Sequence, residues 1–166
     1  MIVKQLGMYL DKFEVRITTE QDIFEICNWR YEEPYDVHNY PEFEILREQE
    51  WGILFKETRE REFLSLYKNR ELIGNFRFIE NEKNVILGLS LKPDFCGQGF
   101  GSKFMRIILK EYNNRFEDKN LILKVREFNK RAIKLYKNSG FIIIGSEIRN
   151  INGENIKMLI MQYKAN

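Results

Sequence analysis

The densest chemistry in this 166-residue sequence lies at Cys96, Gly97, Gln98, Gly99, Phe100, Gly101 and Ser102. An apolar run with strand character, residues 85–91, precedes it, and a helical pattern starts at about Gly99. The first turn of a helix carries N–H groups without partners and the positive end of the helix dipole. Glycines remove side chains that would keep a ligand away, and they accept positive φ. The combination forms an anion cradle suited to a phosphate or pyrophosphate. Lys103, just inside the helix, adds a positive charge.

Three readings compete for this loop. It is a tight turn that packs a helix on a sheet, a dinucleotide-binding turn, or a loop for the pyrophosphate of an acyl-coenzyme A. A dinucleotide turn needs a third glycine where Ser102 stands, and it sits in an early βαβ unit rather than after a meander. The Gly-Lys-Ser/Thr of a Walker loop is absent. Elsewhere chemistry is sparse. A single histidine, His38, leaves no metal site that needs two, so no metal is expected. Two cysteines make no disulfide framework, and Cys27 falls on the apolar side of a helical pattern, as a small core residue would.

Around these residues the sequence is that of an ordinary globular α/β chain. Hydrophobic residues make up 43% and charged residues 31%, and 13 Phe with 8 Tyr supply a large core. The net charge of +2 lacks the basic excess of a protein that grips phosphate backbones, so no nucleic acid is expected. No apolar run reaches the roughly 20 residues of a membrane span, and residues 1–8 lack a secretory leader pattern. A cytoplasmic protein with reduced thiols is expected. No linker or repeat divides residues 1–166, which read as a single domain.

The elements that must hold the loop follow from periodicity. Residues 14–17 alternate as a strand, and Thr18, Thr19 and Glu20 offer caps for a helix over 21–30. Residues 31–40 read as a loop, 41–49 as a helix opened by Pro41, and 51–56 fit no pattern clearly. Strands follow at 62–68, 71–79 and 85–91, the first two joined by Asn69-Arg70. Gly88 inside the third suggests a bulge or a close backbone approach. A helix at 99–115, a buried strand at 121–126, a helix capped by Asn129 through 138, and strands at 141–147 and 155–162 complete the order. That is a mixed α/β or α+β sheet domain.

Two stretches resemble a known family. Leu87-Gly-Leu-Ser-Leu-Lys-Pro-Asp-Phe-Cys-Gly-Gln-Gly-Phe-Gly-Ser102 is similar to motif A of the GCN5-related N-acetyltransferases. Asn129-Lys-Arg-Ala-Ile-Lys-Leu-Tyr136-Lys-Asn-Ser-Gly-Phe141 is similar to the family's Asn-x-x-Ala-x-x-x-Tyr-x-x-x-Gly-Phe signature. The two occur in order, separated by a helix and a buried strand. The resemblance implies an α/β fold with a roughly seven-stranded mixed sheet, flanked by helices and splayed between its fourth and fifth strands. It implies acetyl-coenzyme A (acetyl-CoA) in that split as cosubstrate, and direct acetyl transfer to a primary amine in a ternary complex.

The resemblance also implies roles. The pantetheine arm would pair with the backbone of Leu89, Ser90 and Leu91, and the pyrophosphate would meet residues 97–102. Asn129 would touch the pantetheine, and Tyr136 would stand by the sulfur as catalytic acid. The acceptor, a small-molecule amine, would lie against residues 29–40 and 148–155, with Trp29, Glu33, Tyr35 and His38 as contacts. Homodimers are common in such a family. Cys96 departs from the pattern, since it occupies a position where Arg or Gln is usual. Gln98 or Lys103 would then replace the lost contact, and a thiol so near a helix start would have a lowered pKa and form a mixed disulfide with oxidised coenzyme A. Candidate bases are Glu33, Asp36, His38 and Glu80. The alternative reading is a catalytically silent acyl-CoA-binding or partner-binding module on the same fold.

Overall fold

A computed structural model describes residues 12–164. The leader reading of residues 1–8 falls outside them, as do the outer ends of the 1–166 domain. One mixed sheet contains β1 (Phe13–Ile17), β2 (Phe63–Lys68), β3 (Glu71–Glu80), β4 (Asn84–Leu91), β5 (Asn120–Arg126), β6 (Phe141–Ile151) and β7 (Glu154–Tyr163), in the order β1-β2-β3-β4-β5-β7-β6. Every neighbouring pair is antiparallel except β4 with β5, which is parallel. The helices are α1 (Glu20–Cys27), α2 (Phe43–Glu48), α3 (Lys56–Glu62), α4 (Phe100–Arg115) and α5 (Lys130–Asn138). No helix among the described residues is long and apolar enough to cross a membrane.

Strand alternation divides the core. Phe76 and Phe78 of β3 point to the face covered by α4 and α5, where Phe104, Met105, Ile108, Ile133 and Tyr136 pack on Val85, Leu87, Leu121 and Leu123. Asn75 and Arg77 point to the other face. There Ile23, Cys27, Leu46, Ile53 and Phe63 form a second cluster under α1 and α2, so Cys27 is a core residue. The capping box expected from Thr19 is present: Asp22 N–H donates to Thr19 Oγ1, and Thr19 N–H donates to Asp22 Oδ2.

The sequence reading departs from the fold in several places, among them β6, which runs on to Ile151 rather than ending at 147. Helix α1 stops at Cys27 rather than Arg30, because the Arg30 guanidinium turns back to donate to the carbonyls of Cys27 and Trp29. Helix α3 occupies ground read as unassigned or as strand. Its sequence Lys-Glu-Thr-Arg-Glu-Arg-Glu has no apolar period, and the residues it buries, Arg59 and Glu62, are charged. Gly88 makes neither a bulge nor a close approach. It pairs in regular register with Arg77, and a Cβ built on it would meet only the Arg77 Cβ, at 4.0 Å.

Candidate active site

Strands β4 and β5 pair only over Asn84–Leu87 and Asn120–Leu123. Beyond Leu87, β4 stays on β3 as far as Leu91, while β5 stays on β7 as far as Arg126. The strands therefore part, and a cleft of about 790 Å³ opens between them. The β4 edge facing it has lost its partner. Lys92 N–H donates to Ile73 O at 2.8 Å, so antiparallel alternation turns the backbone groups of Ser90 and Gly88 toward β3 as well. The N–H and C=O of Leu89 and Leu91 then face the cleft. Tyr31 Oη donates to Leu91 O at 2.8 Å, which leaves the Leu89 pair and Leu91 N–H available to an extended ligand. Ser90, expected to pair through its backbone, instead spends that backbone on β3 and lines the cleft with the rest of the residue.

The glycine loop closes one end. Gly97 (φ 77°) and Gly99 (φ 83°) both adopt the left-handed region, and nothing lies within 4 Å of a Cβ built on either, so conformation rather than space demands glycine there. Gly99 is the N-cap of the 16-residue α4, and no side chain caps that end. The N–H groups of Phe100, Gly101 and Ser102 are thus left for an anion. Gly101 serves differently: a Cβ there would be 3.0 Å from Leu135 Cδ2, so its absence lets α5 approach the loop.

The side chains proposed to help the loop do not. Gln98 Nε2 donates back to Asp94 O, and the Lys103 ammonium sits 4.0 Å over the Phe13 ring, away from the cleft. The Phe100 ring packs edge-on against Phe95, leaving only its backbone for the cradle. Arg131 and Lys134 of α5 line the cleft instead. Their positions inside the Asn129 motif were the available signal, because residues two and five places after the helix cap flank Leu135 and the loop.

Cys96 lines the cleft, but its thiol is neither acidic nor poised. It donates to Leu91 O and Lys92 O at 3.5 and 3.7 Å, and burial pushes its pKa up. This overturns the expected low pKa and removes the reason for ready mixed-disulfide chemistry. The helix dipole expected to activate it acts on the N–H groups of residues 100–102, downstream of the sulfur.

Asn129 caps α5, its Oδ1 accepting from Ala132 N–H at 3.1 Å, and its Nδ2 lies 3.4 Å from His38 Nε2. Tyr136, on the same helix, reaches the cleft through core packing. It is 9% exposed, its hydroxyl makes no hydrogen bond among the described residues, and burial pushes its pKa up to about 12.

The 31–40 segment straps across the cleft. At one end Tyr31 holds Leu91 of β4. At the other, His38 meets Asn129 and stacks on Phe128, while the Arg131 guanidinium lies 4.2 Å over the Tyr35 ring. Tyr35 and His38 therefore reach the site. Trp29 does not: it is 5% exposed, packed with Ile26 and Leu72. Glu33 is exposed and off the cleft, Asp36 is exposed, and Glu80 pairs with Lys119 at 2.9 Å at the far end of β3. Burial, then Arg126 and Arg131, hold the His38 pKa below its ordinary 6.5. No group of three or more His, Cys, Asp or Glu side chains among the described residues could hold a metal.

This chain resembles solved acetyltransferases over nearly its whole length. A spermidine N-acetyltransferase SpeG chimera from Vibrio cholerae and hSSAT aligns with a TM-score of 0.74 at 21% identity, over 91% of this chain and 94% of the other. The spermidine N-acetyltransferase from Vibrio cholerae in complex with CoA and spermine gives 0.68 at 20%, over 90% and 94%. The ribosomal-protein-S18-alanine N-acetyltransferase from Escherichia coli gives 0.65 at 20%, over 93% and 97%. At these identities the likeness is one of fold. No curated protein sequence matches. The Acetyltransferase (GNAT) family pattern matches residues 21–141, which include both motifs, the parted strands and the glycine loop. The chain belongs to the GNAT family of acetyltransferases.

Proposed function

We propose that the protein transfers the acetyl group of acetyl-CoA to a primary amine on a small molecule, directly and within a ternary complex. The observation that carries this reading is the unpaired β4 edge at Leu89 and Leu91, flanked at one end by the uncapped start of α4 and facing Tyr136 of α5. When bound, acetyl-CoA supplies the thioester whose C–S bond breaks as the amine nitrogen bonds to the carbonyl carbon. Leu89 N–H donates to the carbonyl oxygen as negative charge gathers there, the task of an oxyanion hole. Tyr136 donates to the sulfur as it leaves.

The pKa of Tyr136 decides how far that proton moves. At about 12 the phenol is a weaker acid than a thiol, whose ordinary value is about 8.5. Full transfer to the thiolate is uphill, so Tyr136 acts as a hydrogen-bond donor that stays protonated. The amine proton goes elsewhere. Among the described residues no carboxylate lines the cleft, and His38 is the lining group that is neutral and basic near physiological pH. We assign it proton acceptance, directly or through water. Both cysteines are thiols in this reading, as the cytoplasm maintains them.

A pH profile tests the assignment. The His38 pKa is depressed, so the ring is uncharged above 6.5 and takes a proton only below it. The amine's own protonation already gives log kcat/KM a slope of about one against pH. Below the His38 pKa the parent's slope rises toward about two, whereas His38→Gln keeps about one. A parent slope that stays near one on the acid side would assign the proton to water alone.

A further inference from the structure

A second hollow, of about 150 Å³, lies on the other face of the sheet and meets the cleft at β4: Gly88, Leu89 and Ser90 line both. One wall is the Tyr40–Trp51 ring pair, in contact with centroids 5.8 Å apart, and the others are the Ile53 turn and Arg77. The turn is held in place. Arg59, 7% exposed, donates to the carbonyls of Ile53 and Leu54 at 3.2 and 3.1 Å and so pins the turn.

Gly88 keeps this hollow open. Glycine in the middle of a strand is destabilising relative to alanine. Here neither positive φ nor crowding demands it, since a Cβ would meet only the Arg77 Cβ, at 4.0 Å. What the missing side chain leaves is a clear path over β4 to Leu89, where the thioester carbonyl would sit.

The charge of the hollow selects what takes that path. Arg77 Nε and Nη2 both donate to Glu62 Oε2, at 2.8 and 2.6 Å, and Nη1 makes no hydrogen bond among the described residues. Glu62 is shared with Arg61, whose Nη2 lies 2.6 Å from Oε1, so two guanidinium groups stand against one carboxylate. Among the described residues no carboxylate, Glu62 included, lines the hollow itself. Aromatic walls with a residual positive charge suit an apolar amine that carries an anion. They do not suit a polycation.

We propose that the acceptor is an amine of amino-acid type, with its apolar side chain packed against the Tyr40–Trp51 ring pair, its carboxylate on Arg77, and its amine passing Gly88 to the β4 edge. This rests on the acetyl-transfer reading above and narrows its substrate class.

The test compares three acceptors in an acetyl-CoA-dependent assay of thiol release: L-phenylalanine, 2-phenylethylamine, which lacks the carboxylate, and spermidine. A charge-assisted hydrogen bond contributes about 1.5–3 kcal/mol, so phenylalanine should exceed phenylethylamine by about 10- to 100-fold in kcat/KM. Spermidine should be poorer still. Arg77→Gln should erase the preference. Gly88→Val, whose new side chain finds room, should raise the acceptor KM at least about tenfold while the acetyl-CoA Kd, read by calorimetry, stays within about twofold. Equal or better turnover of phenylethylamine or spermidine, or an unchanged acceptor KM in Gly88→Val, overturns the proposal. Binding of acetyl-CoA with no turnover of any of the three also overturns it and leaves the cleft reading standing. Absence of acetyl-CoA binding overturns both.

Discussion

Tyr136→Phe is expected to lower kcat by about 100-fold while the acetyl-CoA dissociation constant changes little. The size follows from the state of the phenol. Burial is the sole cause of its high pKa, and no protein group accepts its proton among the described residues. Its donor is therefore unspent until a negative sulfur forms. Removing one donor aimed at charge that develops in the transition state costs about 10²–10³-fold in kcat. The ring, packed against Phe141 at 6.0 Å between centroids, is retained by Phe, so α5 should keep its place. Pre-steady-state measurement of thiol release separates this from slow product departure. A mutant as fast as the parent would remove Tyr136 from the mechanism.

Gly101→Val is expected to weaken acetyl-CoA binding by about 10- to 100-fold. A Cβ at residue 101 would lie 3.0 and 3.4 Å from the Leu135 methyl carbons, and valine adds two methyls beyond it. Forcing such groups into a filled contact costs about 1–3 kcal/mol, relieved here by moving α5 away from α4. Helix α5 carries Arg131, Lys134 and Tyr136 and is capped by Asn129, so a shift displaces one wall of the cleft as a unit. The first-turn N–H groups of α4 stay on the opposite wall. Calorimetry on Gly101→Val and Gly101→Ala should give graded losses, and equal affinity in parent and valine variant would contradict the close approach.

These two residues illustrate what the sequence exposed. Glycines after a strand and before a helix have a local meaning that needs no tertiary knowledge, and the Asn129-to-Tyr136 spacing places both residues on one helix. The seven strands were readable because each carries either alternation or a short apolar run bounded by turn residues. The parting of β4 and β5 was expected from the family resemblance alone, since nothing in residues 88–91 announces a missing partner. Helix α3 was hidden because charged pairs, not apolar periodicity, bury it. Trp29 misled because its type suits a binding loop, whereas packing on Ile26 and Leu72 decides its place. Lys103 misled because sequence nearness to the loop says nothing of the direction a helical side chain takes. The hollow around Arg77 was not legible at all: sheet register brings Arg77 and Gly88 together, and Tyr40 and Trp51 join them from segments outside the sheet.

The central claim is that the parted strands hold acetyl-CoA. Titration calorimetry of the intact protein with acetyl-CoA, with NAD as control, tests it most directly. One acetyl-CoA per chain should bind saturably in the micromolar range, about 1–100 μM, and NAD should not bind. Heat from NAD and none from acetyl-CoA would make the glycine loop a dinucleotide turn. Silence from both would mean that the parted strands hold neither cofactor, contrary to the acetyl-transfer reading.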